Sequence, residues 1–396
     1  MTAPSAFARL RALLADVAPP DDVVPVALHL GECRLGTPDH LLAPVRDPAA
    51  WTSYPPLGGT GPLVAAYRDW LVRRFGGAGA ARCAVEPTPG TKQASATLLA
   101  LAVAAARDRG ADRPAVLVPN PFYPTYLAAT AAAGARAVLY PASGVPSLAA
   151  TVRSTPGLAA VVVCHPGSPG GEVHDPDVLR AVAAAAAEVG ALLLVDECYV
   201  DLAAVDVPGF LSAVEAGPGP YAVLHTLSKR SGAPGLRSGF LAGDVDTVAR
   251  YAEHNRSCGV SSAAPVCAAA AALWADDVHV TAMRAGLARA WDVADEVLGD
   301  LPGYRRPPAG IFLWLRLPGT ADDLDVARRL WRDHAVTVMP GRYLTAPGDR
   351  GADPGVGRVR LTLAVPTGTL RPALVALRAA VAGARDVRTL ADRGAR

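Results

Sequence analysis

The chain is short of net charge. Thirty-eight basic residues stand against 36 acidic ones, a formal balance of +2 in 396 residues. That balance gives no electrostatic case for nucleic acid or an anionic membrane surface. The six cysteines, at 33, 83, 164, 198, 258 and 267, form no CxxC, and no histidine cluster joins them at metal spacing. The spacing therefore supplies no zinc site and no disulfide framework, and no metal is expected. Buried free thiols in a reducing cytoplasm are the reading that remains. Long hydrophobic runs are missing too: the most apolar stretch, about residues 179 to 195, is interrupted by Glu188 and Gly190, which argues against a membrane span. The N-terminal MTAPSAFARLRALLADVAPPDD lacks an apolar core and carries Arg9 and Arg11, so it predicts a short amphipathic helix stopped by Pro19 and Pro20 rather than a signal peptide. No basic helix-turn-helix precedes residue 20, which disfavours a DNA-linked sensor, and no GxGxxG follows the first strand, which disfavours a dinucleotide site.

What is present is ample core material: 51% of residues are hydrophobic and 19% charged, in a chain long enough for two domains. Helical spacing marks LVAAYRDWLVRRF (63 to 75), ASATLLALAVAAARDRG (94 to 110), and segments near 125 to 134 and 177 to 189. Between them lie the short apolar runs AVLVP (115 to 119), AVVVCHP (160 to 166), ALLLVDE (191 to 197) and AVLHTLS (222 to 228). Continuous Val and Leu runs separated by helices predict an α/β fold with a mostly parallel sheet covered on both faces. A long helix is expected from about 276 to 298. After it FLWLRL (312 to 317), VTVMPG (336 to 341) and VRLTLAV (359 to 365) predict a smaller α+β unit with a final helix after Pro372. The expected division is 1–45 as an N-terminal arm with part of the small domain, 46–285 as the large domain and 286–396 as the small one.

The polar clusters follow the C-terminal ends of the strands, where open α/β sheets bind ligands. In PTPGTKQAS (87 to 95), Gly90 lets an anion approach the backbone amides of Thr91 and Lys92 at a helix start; the same stretch also reads as a glycine turn with a threonine cap. PNPFYPTY (119 to 126) would hold Tyr123 and Tyr126 outward, ready to lie on a planar ring, or would be a rigid surface loop. CHPGSPGGEV (164 to 173) is a turn that presents Ser168. LLLVDECYVDL (192 to 202) ends a buried strand with Asp196, a costly place for a carboxylate unless it meets a cation or a protonated ring nitrogen, though a helix cap is an alternative. Tyr199 could reach the same place. HTLSKRSGAPGLRSG (225 to 239) sets Lys229 among small hydroxyls and glycines, with Arg237 eight residues on. The lysine suits a nucleophilic amine and the arginine a phosphate grip, with Thr226 and Ser228 adding hydroxyls; a structural salt bridge is the competing reading. Arg360 alternates with apolar residues on a strand and, if inward, needs an anion such as a substrate carboxylate.

Together these parts fit one ligand. They offer a phosphate grip (Thr91, Lys92, Thr226, Arg237), a ring stacker (Tyr123), an acid for a ring nitrogen (Asp196), a phenol for a ring oxygen (Tyr199) and an amine for an aldehyde (Lys229). Pyridoxal 5′-phosphate has each matching feature. The segments LGECRLGTP (30 to 38), YPPLGG (54 to 59), NPFYPTY, DECY, SKRSGAPGLRSGFLAGD (228 to 244) and ALWADDVHV (272 to 280) resemble the fold-type I, class I/II aminotransferases, and within them the bacterial N-succinyldiaminopimelate aminotransferases. That resemblance implies a seven-stranded large domain with Lys229, Asp196 and Tyr199 as catalytic residues. It implies Gly31 and Arg360 at the substrate, and a homodimer in which Tyr54 reaches the phosphate of the partner subunit's cofactor. It also implies transfer of an amino group from an amino acid, N-succinyl-LL-diaminopimelate being one candidate, to a 2-oxo acid such as 2-oxoglutarate. The chain departs from the family where Ser168 replaces an Asn, Gly170 a Thr and Gly232 an Asn. Because one carbanion chemistry serves many outcomes, β- or γ-replacement, elimination or cyclisation is the alternative reaction class. Arg34, Arg256 and Arg342 are candidates for a second substrate carboxylate.

Overall fold

The computed structural model describes residues 5–214, 219–348, 351 and 353–382. The chain divides into two compact units: Met1–Leu35 with Ala285–Pro307 and Ile311–Arg396, and Gly36–Arg284 with Pro308–Gly310. The division falls within the long helix Val278–Leu298. Among the described residues no single helix is long and apolar enough to cross a membrane.

In the unit Gly36–Arg284 the seven strands are β1 (Ala84–Thr88), β2 (Ala115–Asn120), β3 (Arg136–Pro141), β4 (Leu158–Cys164), β5 (Leu192–Asp196), β6 (Tyr221–Thr226) and β7 (Gly239–Gly243). They form one sheet in the order β1-β7-β6-β5-β4-β2-β3. Pairing is parallel from β6 through to β3, and β7 runs antiparallel to both its neighbours. Every residue of β2, β4, β5, β6 and β7 is buried, which is why these strands read as unbroken apolar runs rather than alternating ones. The crossovers include α1 (Thr91–Asp108), α2 (Pro124–Ala132) and α3 (Pro176–Glu188). Proline opens α2 and α3, where its missing N–H has no helical partner to lose, and Asp175 caps α3 by accepting from Asp177 N–H. Against β7, Tyr67 stacks on Phe240 with ring centroids 3.8 Å apart; Trp70 and Trp274 complete an aromatic cluster around them.

In the other unit, strands Phe312–Arg316, Arg358–Thr362 and Met339–Pro340 form a small antiparallel sheet, and Val26–Ala27 pairs in parallel with Val336–Thr337. The N-terminal helix spans Ala6–Leu14. VTVMPG proves to be two two-residue strands. The last described helix, Thr367–Ala382, begins before Pro372 rather than after it. Pro372 is thus the sixth residue of the helix, inside it, where its missing N–H removes one i→i−4 hydrogen bond.

Candidate active site

Register brings the phosphate-grip residues together. Thr88 at the end of β1 pairs with Gly239, and Gly239 pairs on its other side with Thr226 at the end of β6. Gly90–Thr91, Arg237–Ser238 and Thr226–Lys229 therefore leave three adjacent strands at one edge. Gly239 must be glycine there, since a Cβ would sit 2.6 Å from the His225 carbonyl and 3.2 Å from Thr88 Oγ1. Gly90 caps α1 at φ 89°, and a Cβ on it would collide with the Arg237 guanidinium. Arg237 itself holds left-handed backbone (φ 51°, ψ 53°), an uncommon conformation that aims its side chain back at this turn while Nη1 donates to Pro234 O at 2.8 Å. Thr226 caps the short helix α4 (Leu227–Arg230), accepting from Ser228 N–H at 3.1 Å. Lys92 is exposed, so what it brings to the turn is its backbone amide.

The cradle has vacant capacity for an anion. Thr88 Oγ1 is buried against this turn with no hydrogen-bond partner, and the first N–H groups of α1 point out of the helix start. A phosphate fits both the shape and the donor set. Gly90→Ala adds a methyl where the guanidinium lies and penalises the positive φ, so a loss of pyridoxal phosphate affinity of roughly tenfold is expected. Titration of the cofactor-free protein by absorbance measures it, and unchanged affinity would remove Gly90 from the cradle.

Asp196 ends β5 opposite Cys164 of β4 and Leu224 of β6. Its carboxylate is buried, accepts from Cys198 N–H at 3.1 Å, and takes a short hydrogen bond from the Tyr126 phenol. A carboxylate has further lone pairs, so a ring N–H can still be received. Burial first, and then the Asp196 charge, hold the Tyr126 phenol well above its ordinary pKa, so it stays a donor. Tyr126 thus points inward, against expectation: α2 starts at Pro124 and turns it back under the sheet edge. Tyr123 remains partly exposed, with its ring edge-on to Tyr126 at 5.6 Å and its phenol pKa raised by burial. Tyr199 is buried, and Lys229 Nζ lies 5.9 Å from its ring centroid. Thr91 Oγ1 and Cys198 Sγ are 3.4 Å apart, which ties the phosphate turn to the DECY turn. Sequence reasoning gave Tyr126 a stacking role instead of this bond and missed Cys198, whose only signal was its place within DECY.

Ser168 is half-buried in a turn closed by Gly167 N–H to Glu172 O at 2.8 Å and Gly171 N–H to Gly167 O at 2.9 Å. A Cβ on Gly170 would collide with the Glu172 carboxylate, so Glu172 fills the space that a family threonine would take. Behind this turn, burial and then the neighbouring His165 push His174 down to about 4. The folded protein therefore binds fewer protons than the unfolded chain between pH 6.5 and 4, so this contribution falls away as pH drops through that window. On the order of 3 kcal/mol of stability should be lost there, and His174→Leu should flatten the loss. Denaturant titrations at several pH values test this, and parallel pH slopes for the two proteins would refute it.

In the other unit, Arg360 is buried, donates from Nη2 to His29 O at 2.8 Å, and places its guanidinium carbon 4.2 Å from the Phe312 ring centroid. Gly31 is partly buried two residues from His29. Tyr54 is fully exposed. The three candidates for a second carboxylate each have acidic company: Arg34 pairs with Glu32 at 2.7 Å, Arg342 with Asp322 and Asp323, and Arg256 lies near Glu86, whose carboxyl burial pushes up in pKa and Arg256 only partly restrains. Of the cysteines, 33, 83, 164 and 267 are buried, Cys198 is partly so and Cys258 is exposed, which corrects the expectation that all six are buried. Among the described residues no three His, Cys, Asp or Glu side chains are grouped to hold a metal.

Comparison with known proteins bears on this geometry. The sequence profile described as "Aminotransferase class I and II" matches residues 26–377. A 4-dedimethylamino-4-oxo-anhydrotetracycline transaminase of Streptomyces rimosus is 32% identical over 339 residues, covering 84% of this chain and 89% of the relative. An LL-diaminopimelate aminotransferase of Desulforudis audaxviator is 30% identical over 390 residues, covering 95% of each. The crystal structure of an aminotransferase from Neisseria meningitidis aligns with a TM-score of 0.84 at 28% identity, over 96% of this chain and 98% of that one. The family match over residues 26–377 and the seven-stranded, mostly parallel sheet agree, and the chain belongs to the fold-type I, class I and II aminotransferases, which are pyridoxal phosphate enzymes.

Proposed function

We propose that this aminotransferase takes the amino group of an α-amino acid of the diaminopimelate type, N-succinyl-LL-diaminopimelate being the first to test, and passes it to 2-oxoglutarate. The observation that carries the residue assignments is the register that gathers Gly90–Thr91, Thr226–Lys229 and Arg237 at one strand edge, with Asp196 two strands from β7 in the same sheet. The substrate class rests on the relative from Desulforudis audaxviator, whose name states LL-diaminopimelate.

In this reading Thr91, Thr226, Arg237 and the amides after Gly90 hold the phosphate, and Tyr123 covers the ring face. Asp196 keeps the ring nitrogen protonated, while Tyr199 and Ser168 donate to the ring oxygen. When bound, pyridoxal phosphate supplies an electron sink for the charge left at the substrate Cα. Lys229 would hold the cofactor covalently through Nζ and, with its amine freed by the substrate, would be the group that takes and returns the Cα proton. Arg360 binds the substrate α-carboxylate as a fork, with Gly31 beside it. Tyr54, fully exposed in the single chain, is assigned to the phosphate of the partner subunit's cofactor in a homodimer. The free thiols support a reducing cytoplasm.

The test is a two-stage assay on the cofactor-loaded enzyme. Donor alone should convert the cofactor stoichiometrically to its pyridoxamine form, and added 2-oxoglutarate should restore it with release of glutamate. Donor consumption that yields elimination or replacement products without the pyridoxamine form would overturn the reading.

A further inference from the structure

Directly behind the active-site edge lies a chain of polar groups that the reaction itself does not use. His225 Nε2 is 2.8 Å from Glu197 Oε2, and Tyr67 Oη is 2.7 Å from His225 Nδ1. Glu197 Oε1 also accepts from Phe210 N–H at 2.5 Å. All three side chains are at most 1% exposed. Burial, followed by nearby negative groups, holds the Tyr67 phenol well above its ordinary pKa, so it donates. With a neutral imidazole the chain runs in one direction, Tyr67 O–H donating to His225 Nδ1 and His225 Nε2–H donating to Glu197. One imidazole tautomer satisfies the whole chain.

This arrangement is expensive to bury. Among the described residues no arginine or lysine pairs with Glu197, and apolar side chains of similar volume would fill the space at less cost. Its placement gives the reason. Glu197 follows Asp196, and His225 precedes Thr226, the cap of the helix that carries Lys229. Adjacent strand residues face opposite sides and Asp196 pairs in register with Leu224, so His225 lies on the face away from the acid, and its bond to Glu197 ties the two strand ends together. Glu197 N–H donates to Leu224 O at 3.0 Å, continuing the β5–β6 ladder through the same point. Rings then fix the relay laterally: Tyr67 stacks on Phe240 of β7, and Trp70 meets the His225 ring edge-on at 4.9 Å.

We propose that Tyr67, His225 and Glu197 are positioning residues, a buried relay that sets the spacing between Asp196 and Lys229. The inference rests on the assignment of those two residues above, and the wild-type half-reaction reports that assignment separately. The measurement is the single-turnover rate of amino transfer to the bound cofactor, with substrate Kd, melting temperature and the visible circular dichroism of the cofactor. Tyr67→Phe and Glu197→Gln should fold and bind cofactor, weaken its dichroism, and slow the step about 10- to 100-fold with substrate Kd little changed, as a misplacement near 1 Å does. The triple variant Tyr67→Phe, His225→Leu, Glu197→Leu removes the side-chain partners together and keeps an apolar fill. A merely structural relay would leave that protein fast, with only the stability lost at the stranded Phe210 N–H, whereas a positioning relay leaves it slow with altered dichroism. Wild-type rate and dichroism in folded Tyr67→Phe and Glu197→Gln, or in the triple variant, would overturn the proposal.

Discussion

Lys229→Ala should leave a protein that folds, binds pyridoxal phosphate without its visible covalent band, and turns over roughly 10²- to 10⁴-fold more slowly than wild type, the range lost with a positioned acid–base group. The expectation rests on geometry. Lys229 sits in a four-residue helix capped by Thr226, half-buried beside Tyr199, whereas Lys92, the other amine near this edge, is exposed. The chain has only two lysines, Lys92 and Lys229. Borohydride reduction of the loaded enzyme followed by peptide mass analysis therefore separates the possibilities cleanly. The reduced adduct should appear on the peptide of Lys229, and a fully active Lys229→Ala protein or an adduct on Lys92 would end the assignment.

The second large effect is on stability and lies one residue further on. Arg230 is 3% exposed, yet its guanidinium is fully engaged: Nε with Asp201 at 2.9 Å, Nη1 with Leu273 O at 2.7 Å, and Nη2 with Asp277 at 2.6 Å and Asp276 O at 3.2 Å. Burial pulls its pKa down, and Asp201 and Asp277 pull it back. Arg74 shares Asp201 at 3.0 Å, and Arg73 shares Asp277 at 3.2 Å. Arg230→Met strands a buried carboxylate and two carbonyls, a loss of about 3–5 kcal/mol, toward the lower end because Arg74 still holds one oxygen of Asp201. At ~2–4 °C per kcal/mol for a unit of this size, the melting temperature should fall by roughly 10 °C. Calorimetry on cofactor-free and cofactor-loaded protein is the measurement. A melting temperature within about 2 °C of wild type would mean that the network contributes less than one buried ion pair normally does.

Much of the large sheet was legible because its physics is simple. β4, β5 and β6 are buried on both faces, so their Val, Leu and Ala runs stand out from the flanking helices. The residue-level reading did not single out β1, β3 and β7. β1 contains Pro87 and lies at the sheet edge, β3 lies at the other edge with Arg136 exposed, and β7 is a glycine-bounded GFLAG in which close backbone approach replaces side-chain bulk. The charged site residues were legible for a different reason: Asp196, Lys229 and Arg237 are costly in apolar or glycine-rich surroundings unless they serve something. Tyr126 was misread because its direction depends on where α2 starts, and a one-residue change of helix phase rotates a side chain by about 100°. His225 left a trace in the sequence, as the one titratable residue inside AVLHTLS. Its partners Tyr67 and Glu197 come from elements 158 and 28 residues away in the chain, and no local pattern encodes such a meeting.

The exposed position of Lys92 has a practical side. The other lysine is half-buried, so the ε-ammonium two residues past Gly90 is the one solvent-facing lysine amine in the molecule. Amine-directed dyes applied to the loaded enzyme will therefore label only one exposed lysine, beside the phosphate turn, with a free α-amine as the competing group. The wild-type chain thereby carries a built-in reporter of cofactor arrival and departure, with no engineered cysteine required.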